Sequence, residues 1–418
     1  MADWHGFYKL SWRERLDKTI ENKQLTAEQV ALIEAQYDAV GEQQVENYLY
    51  NFGVPTGLLP DLPVDGRLVT VPMSTEEPSV IAAASNGARM MRAGEGVKTT
   101  IQSRLLRGQV ILTDVASVDA LQEYVASHNQ ALLQAANDAH PSMAKRGGGA
   151  KALTVEVLDE QTAIVNVLVD PKAAMGANVV NTMSEAVAKE LTVAGYQVLM
   201  AILSNYATEA LVKARVAVPV EALATNQGMA GTEVARRIAA ASHVEQLSPY
   251  RAVTSNKGLL NGIEAAVLAS GNDTRAVNAA LHAYAANNGQ YHGLTSWTVQ
   301  DDMLLGETTL PLMLGVVGGS IGIVPAVKLN HALMDNPTVN ELTSIVAAVG
   351  LAQNLSALRA LVTTGIQAGH MALQAKSLAL QVGATTEEVP ALTARLQQLG
   401  RFNETVAREA LATLRQSK

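Results

Sequence analysis

The spacing of apolar residues predicts that the chain begins with helices. Within residues 1–45 apolar side chains recur at the three- and four-residue intervals of amphipathic helices. A short strand is then predicted over residues 68–73, and an alanine-rich helix over residues 77–90. The small side chains of that helix predict that a second helix packs closely against it.

Short alternating segments replace this pattern at about residue 104. Alternation of apolar and polar residues predicts strands, with helices between them, and the strands are expected at 110–115, 153–157, 163–169 and 198–203. The resulting order is β-α-β-β-α-β, which is that of a ferredoxin-like unit. Because helix-rich character returns after residue 213, we expect residues 104–212 to be inserted into a larger domain.

A long helix is predicted over residues 338–364, because apolar side chains recur on one face until Gly365 ends the pattern. After about residue 376 the composition becomes polar and helical. We therefore predict a helix-rich α+β fold with three parts. These are a large domain at 1–103 and 213–375, an inserted ferredoxin-like small domain at 104–212, and a small C-terminal helical unit at 376–418.

Composition excludes several classes of protein. The 418 residues carry a net charge of −8 and no basic cluster larger than Lys145-Arg146, which argues against a nucleic-acid binder. The absence of cysteine excludes disulfides, thiolate zinc sites and cysteine nucleophiles. The uncharged stretch 308–327 is as long as a membrane span, but its glycines and prolines would break a spanning helix, so a buried strand and turn is predicted. Since the N-terminus also lacks the features of a signal peptide, we expect a soluble, cytoplasmic protein.

General motifs give no reaction class. The sequence has no G-x-G-x-x-G fingerprint between a strand and a helix, no H-E-x-x-H zinc motif and no G-x-S-x-G nucleophile elbow. We therefore predict neither a Rossmann fold nor a metal site.

Four segments combine polar side chains with unusual local sequence, and each also has a purely structural interpretation. They are 73–80, 250–262 with 271–275 following it, 365–371 and 174–183. Glu77 and Ser79 fit an ordinary helix start. Lys257 is predicted at a helix N-terminus, where a cation is electrostatically unfavourable, and this indicates a functional role. Alternatively, Lys257 and Asp273 are solvated charges in loops. His370 fits a structural histidine, and the last segment fits either phosphate binding by helix N–H groups or tight helix packing.

In this order the segments resemble hydroxymethylglutaryl-CoA reductases of the soluble bacterial class, over essentially the whole chain. Single matches are weak, and it is their common order that argues against chance. The most specific are Glu76-Glu77-Pro78-Ser79, Met175-Gly176-Ala177-Asn178, Thr254-Ser255-Asn256-Lys257-Gly258, Gly271-Asn272-Asp273, Leu351-Ala352-Gln353-Asn354-Leu355 and Gly369-His370-Met371. The resemblance implies a substrate-binding large domain, a cofactor-binding small domain without a Rossmann fold, and a mobile C-terminal flap. It also implies a homodimer, or a larger assembly of dimers, whose active sites form across the subunit interface.

The resemblance further implies the reaction, which is reduction of hydroxymethylglutaryl-CoA to mevalonate and CoA through a mevaldyl-CoA hemithioacetal. By match to the motifs, the catalytic residues are Glu77, Lys257, Asp273 and His370. Lys257 would stabilise the oxyanion formed by hydride attack, and His370 would protonate the leaving CoA thiolate. Glu77 would protonate the aldehyde oxygen, provided that burial favours its protonated form. Asp273 would hold Lys257 and Glu77 in one hydrogen-bonded network.

Binding residues follow from the same resemblance. Substrate would be bound by Ser79, Arg251 and Asn261, with the forked guanidinium of Arg251 on the free carboxylate. The cofactor would be contacted by Asn178, Asn205 and Gln353.

Two departures from the family pattern affect the cofactor prediction. Ala173 stands where the family usually has an acid, so no cofactor contact is assigned there. NADH-dependent members have an aspartate near the position of His140, whereas here that position is not acidic and Lys145 and Arg146 follow it. Because cations attract a 2′-phosphate that an acid would repel, we predict binding of NADPH by these three residues, with NADH as the alternative.

Two other functions remain open at this point. One is NAD-dependent oxidative breakdown of mevalonate on the same fold, which a preference for NADH would favour. The other is a catalytically silent CoA-thioester-binding protein, for which Ala173 would be a sign of decay. Full reductase activity after Lys257→Ala would exclude the proposed mechanism.

Overall fold

The computed structural model describes residues 4–363, 365 and 375–416, which form ten strands and sixteen helices besides short 3-10 turns. The strands are β1 Thr56–Val64, β2 Arg67–Ser74, β3 Val97–Ile101, β4 Leu106–Thr113, β5 Gly149–Val157, β6 Ala163–Asp170, β7 Gln197–Leu203, β8 Leu211–Pro219, β9 Thr295–Gln300 and β10 Met303–Pro311. The first eight helices are α1 Trp12–Lys23, α2 Ala27–Ala35, α3 Ala39–Gln44, α4 Val80–Met91, α5 Val118–Ser127, α6 Asn129–Ala139, α7 Pro141–Lys145 and α8 Ala177–Val193. The others are α9 Gly231–Leu247, α10 Pro249–Ala269, α11 Thr274–Tyr284, α12 Pro325–Leu333, α13 Val339–Val362, α14 at 375–381, α15 Val389–Leu399 and α16 Glu404–Gln416.

The main core lies between a six-stranded sheet, ordered β2-β1-β3-β8-β10-β9, and the helices α4, α10 and α13. Helix α13 begins with a capping box between Thr338 and Glu341 and is buried along most of its length. A side chain at Gly87 of α4 would collide with the Ala352 backbone of α13. The predicted close packing of a second helix against the small residues of α4 is therefore confirmed.

Helix α13 is also, among the helices of the described residues, the one whose length and composition would suit a bilayer, with a mean hydropathy of 1.6 over its most apolar window. However, 72% of that window is buried inside the protein, as expected for the central helix of a core. The stretch 308–327, where we predicted a buried strand and turn, contains the end of β10, a loop and the start of α12.

A second, antiparallel sheet has the order β5-β6-β4-β7, with α6 and α8 packed on it. The chain runs β4, helices, β5, β6, α8, β7, so the predicted ferredoxin-like order is confirmed. Strand β8 begins at Leu211 and pairs with β3 and β10 of the main sheet. The domain boundaries at 104 and 212 stay predictions.

Helices α14, α15 and α16 form a small core of their own, built largely from alanine and leucine side chains such as Ala379, Leu392, Leu396 and Leu411. The C-terminal helical unit expected after residue 376 is present, and its mobility stays a prediction.

Several elements differ from the sequence-based expectation. Strand β1 was not predicted because Pro60 and Pro63 interrupt its pattern, and a register shift between Leu59 and Leu62 accommodates Pro60. Helices were expected between the strands of the second sheet, and the stretch between β4 and β5 contains three of them, of which α5 and α6 meet at His128. The helix-rich region expected after residue 213 begins with β8 and also supplies β9 and β10 to the main sheet.

Candidate active site

The central contact of the site joins Lys257 to Glu77, which are 180 residues apart in sequence. The Lys257 ammonium donates to Glu77 Oε2 at 2.9 Å, and the two side chains are 62% and 36% exposed. Glu77 follows β2, and Lys257 lies on α10, which packs against β2. The structure therefore brings together two of the four predicted catalytic residues, on the surface of the main core.

One expectation about this pair was wrong, and a second stays a prediction. Helix α10 begins at Pro249, so Lys257 lies in the helix interior rather than at its N-terminus. Proline at the first helical position explains the earlier start, since it supplies a helical φ and needs no hydrogen-bond acceptor. Glu77 is partly exposed in this chain, so the burial that we expected for a proton donor would have to come from whatever covers the site.

The segment that carries Glu77 ends in a strained residue. Ser79 precedes α4 with φ of 81°, in the left-handed region, and its hydroxyl does not cap the helix. A non-glycine residue in this region costs on the order of 1 kcal/mol, and such strain clusters at functional sites. Ser79, a predicted substrate ligand, lies two residues from Glu77 at the positive end of α4.

The other two predicted substrate ligands share α10 with Lys257. Asn261 lies one turn beyond Lys257 on the same face, and Arg251 lies in the first turn of the helix. The position of the helix is fixed by Asn256, which is buried, donates to the His292 carbonyl oxygen at 2.9 Å and accepts from the Leu294 N–H at 2.9 Å. Sequence analysis did not identify Asn256 as the residue that anchors the lysine segment.

Within this chain Asp273 lies apart from the contact between Lys257 and Glu77, so its place in their network stays a prediction. Its carboxylate caps α11, accepting from the Arg275 and Ala276 N–H groups at 2.9 and 3.0 Å, and is 3.6 Å from the Arg275 guanidinium. Among the described residues it makes no hydrogen bond or ion pair with Lys257 or Glu77. Asp is a preferred helix N-cap, and both exposed N–H groups of α11 donate to the same oxygen, Asp273 Oδ1.

Asp273 instead lines a cavity of about 610 Å³ together with the start of α8. Gly176 precedes α8 with φ of 106°, and a side chain there would come within 2.5 Å of Pro171. Asn178, a predicted cofactor ligand, is in the first turn of α8 and lines the same cavity. The N-terminus of this 17-residue helix therefore presents backbone N–H groups to the cavity, as phosphate sites do.

Asn272 connects the two sides of this cavity. Its amide donates to the Gly315 carbonyl oxygen at 3.0 Å, and its oxygen accepts from the Gly315 N–H at 2.7 Å. A side chain at Gly315 would collide with the Met175 backbone, just before α8. Asn272 therefore ties the turn that carries Asp273 to the segment that begins α8.

We expect Asn272→Ala to lower the free energy of unfolding by about 2 kcal/mol, because it removes a reciprocal pair of hydrogen bonds and leaves the Gly315 groups unpaired. Urea unfolding measures this value. The matched control is Asn288→Ala in an exposed loop, which should change it by less than about 0.5 kcal/mol. Equal stability of Asn272→Ala and wild type would show that Asn272 does not tie these two segments together.

The remaining predicted cofactor residues are distributed over three places. Gln353 is buried on α13 facing Gly262 of α10, where a Cβ would lie 3.0 Å from the Gln353 Cβ. Asn205 is exposed just after β7. His140, at the junction of α6 and α7, is 3.3 Å from the Ser142 hydroxyl.

Lys145 and Arg146 are exposed at the end of α7, and Arg146 donates to the Ser142 carbonyl oxygen at 2.9 Å. None of these residues lines the cavity beside Asp273. His370 lies outside the described residues. Within the described part of the chain, no group of three or more His, Asp or Glu side chains forms a metal site.

Comparison with known proteins agrees with the resemblance of the motifs. A family model described as hydroxymethylglutaryl-coenzyme A reductase matches residues 11–375. The 3-hydroxy-3-methylglutaryl-coenzyme A reductase of Archaeoglobus fulgidus is 38% identical over 98% of this chain and 94% of its own length. A probable 3-hydroxy-3-methylglutaryl-coenzyme A reductase of Borreliella burgdorferi is 33% identical over 80% of this chain and 77% of its own.

Solved structures of 3-hydroxy-3-methylglutaryl-coenzyme A reductase from Streptococcus pneumoniae are also similar. One matches with a TM-score of 0.76 and 44% identity over 99% of this chain and all of its own. A second, a class II enzyme bound to NADPH in open conformations, matches with a TM-score of 0.76 and 44% identity over 97% of this chain and 100% of its own.

Proposed function

The chain belongs to the hydroxymethylglutaryl-coenzyme A reductase family, and from that premise we propose that it reduces hydroxymethylglutaryl-CoA to mevalonate and CoA with NADPH. The reaction takes two hydrides and passes through a mevaldyl-CoA hemithioacetal. The observation that carries this proposal is the 2.9 Å contact between Lys257 and Glu77, the cation and the acid that the chemistry needs. Lys257 shares α10 with the proposed substrate ligands Arg251 and Asn261.

Lys257 is the electrophilic group of the site. NADPH supplies hydride, and the thioester carbonyl oxygen becomes an oxyanion when hydride is added to its carbon. An ammonium fixed on α10 stabilises that charge more strongly than water does, because it is already oriented. Arg251 and Asn261 on the same helix hold the acyl group, with the Arg251 fork on the free carboxylate.

Proton transfer is assigned to Glu77 and His370. When the hemithioacetal collapses, His370 gives a proton to the CoA sulfur, since imidazole titrates near neutral pH. Glu77 then protonates the oxygen of the aldehyde as the second hydride is added. This step requires Glu77 to be covered, and a partner subunit and the C-terminal helices are the candidates for covering it.

The residues around the start of α8 fit a nicotinamide dinucleotide. The cavity there has room for part of the cofactor, and its glycine-led helix N-terminus faces inward with Asn178. Lys257 and Glu77 do not line this cavity. A homodimer in which the ferredoxin-like unit of one subunit meets the substrate-binding helix of the other would bring hydride and thioester together.

We assign the enzyme to the cytoplasm.

The test of the proposed function is the loss of NADPH absorbance with hydroxymethylglutaryl-CoA present and absent. Substrate-dependent oxidation, with formation of mevalonate and free CoA, supports the proposal. Initial rates with NADH in place of NADPH are measured in parallel. A clear preference for NADH would replace the cofactor assignment, and activity only with mevalonate, CoA and NAD would replace the direction of the reaction.

For the cofactor assignment, we expect Arg146→Ala to raise KM for NADPH about tenfold while changing KM for NADH less than about twofold. The reason is that loss of one charge-assisted hydrogen bond to a 2′-phosphate costs roughly 1.5 kcal/mol or more. Steady-state kinetics with both cofactors measures this. Arg401→Ala, which removes an exposed arginine of the C-terminal unit, is the control. Equal changes with NADPH and NADH would contradict a role in binding the 2′-phosphate.

A further inference from the structure

A buried carboxylate lies behind the first turn of α10. Glu245, in the last turn of α9, is 1% exposed. Neither of its carboxylate oxygens accepts a hydrogen bond of normal geometry from any residue that the structure describes. Burying an ionisable group without such partners costs free energy, so a residue of this kind needs a reason for its presence.

Two polar groups that act on this carboxylate belong to α10. Arg251 Nη2 is 3.8 Å from Glu245 Oε1, and Ser255 lies one turn farther along the same helix. Burial raises the pKa of the Glu245 carboxyl, while the Ser255 hydroxyl and the charge of Arg251 favour its ionised form. Arg251 is therefore the cationic neighbour of a group that is otherwise shielded from water.

The position of Glu245 is set by rigid parts of the main core. The Glu245 carbonyl oxygen accepts from the Gly293 N–H at 3.1 Å, and a Cβ at Gly293 would be 3.3 Å from the Glu245 Cβ. Ser255 accepts from the Asn354 amide at 3.3 Å, and Asn354 in turn accepts from the Trp297 indole at 2.7 Å. The backbone of Glu245 and the hydroxyl of Ser255 are therefore both anchored in the main core.

Arg251, by contrast, is 40% exposed, and its distance of 3.8 Å from Glu245 is too long for a hydrogen bond. Because no hydrogen bond to Glu245 is made, the guanidinium donors stay available to a ligand. A negative charge on one side of the guanidinium restricts its rotamers. Restricting a flexible ligand-binding side chain before binding increases affinity, because less entropy is lost on binding.

We propose that Glu245 is a positioning residue that holds the Arg251 guanidinium ready for the carboxylate of the acyl-CoA substrate. The inference rests on the proposed function, since it takes Arg251 as the substrate's carboxylate ligand. It assigns to Glu245 a specific effect on substrate binding and none on the cofactor.

The test compares Glu245→Gln with wild type in the full chain. Glutamine keeps the shape and removes the charge, so KM for hydroxymethylglutaryl-CoA should rise roughly five- to tenfold. KM for NADPH and the inhibition constant of free CoA, which has no acyl carboxylate, should change less than about twofold. Glu233→Gln, at a half-buried position in the first turn of the same helix where the carboxylate pairs with Arg236 and Arg237, is the matched control and should change none of these values.

A double-mutant cycle with Arg251→Ala separates positioning from a general structural role. In the Arg251→Ala background, Glu245→Gln should raise KM no further, because the side chain that it positions is gone. The proposal is overturned if Glu245→Gln leaves KM for hydroxymethylglutaryl-CoA unchanged, or if its effect is the same with and without Arg251. Should the glutamine variant not fold, Glu245→Asp is judged by the same KM values.

Failure of this inference is distinguishable from failure of the proposed function. If wild type does not oxidise NADPH in the presence of hydroxymethylglutaryl-CoA, the proposed function is wrong and the inference is wrong with it. If wild type is active and Arg251→Ala weakens substrate binding while Glu245→Gln does not, the inference alone is wrong.

Discussion

Lys257→Ala should lower kcat for reduction of hydroxymethylglutaryl-CoA by roughly 10²–10³-fold, the usual cost of losing one preorganised group that stabilises an oxyanion. The ammonium is positioned by a helix anchored through Asn256 and is oriented by Glu77, so water cannot replace it with equal effect. Stopped-flow or steady-state oxidation of NADPH under saturating substrate measures the change.

The loss should be catalytic rather than structural. The Lys257 side chain is 62% exposed, so its removal should change the free energy of unfolding by less than about 0.5 kcal/mol. Lys189→Ala, at the C-terminal end of α8, removes another exposed lysine from a helix and should leave kcat unchanged. A Lys257→Ala enzyme with wild-type kcat would exclude the proposed mechanism.

Glu77→Gln should lower kcat by roughly 10²–10⁴-fold, which is the usual contribution of a positioned general acid. Glutamine is close in shape to glutamate. However, its amide cannot act as an acid, and it carries no negative charge to pair with the Lys257 ammonium. The lost proton donor and the lost charge both act on the reacting oxygen in the transition state rather than on substrate binding. KM for hydroxymethylglutaryl-CoA should therefore change far less than kcat.

The neighbouring residue provides the matched control. Glu76→Gln changes an exposed acid one position away in the same segment and should retain most of the activity. Supplying mevaldehyde as the substrate for the second hydride transfer tests the assignment more narrowly. A Glu77→Gln enzyme that reduces mevaldehyde as fast as wild type would show that Glu77 does not donate the proton in that step.

The elements that were predictable are those with a strong local pattern. Helix α13 has apolar residues along most of its length, and β5 and β6 alternate on either side of a short turn, so local sequence was sufficient. Strand β1 was not predictable, since Pro60 and Pro63 disfavour a strand and only pairing with β2 supports one. In such segments, contacts with residues distant in sequence decide whether a strand forms.

The residues of the candidate site likewise divide into those with a local sequence signal and those placed by contacts between distant segments. The contact between Glu77 and Lys257 depends on packing of α10 against β2, and only the family resemblance pointed to it. The capping role of Asp273 did have a local signal, because Asp before Thr274 at a helix start is a typical N-cap. Glu245 had no signal at all, since nothing in the sequence distinguishes a buried glutamate from the exposed ones on the same helix.

Helix α11 belongs to both hydrophobic cores. Its Ala276 and Ala280 are part of the core of the ferredoxin-like unit, whereas Val277 and Leu281 are part of the main core. A helix clamped in this way cannot follow one unit without shearing its packing against the other. Asp273 caps this helix, so its carboxylate is held at the junction of the two cores.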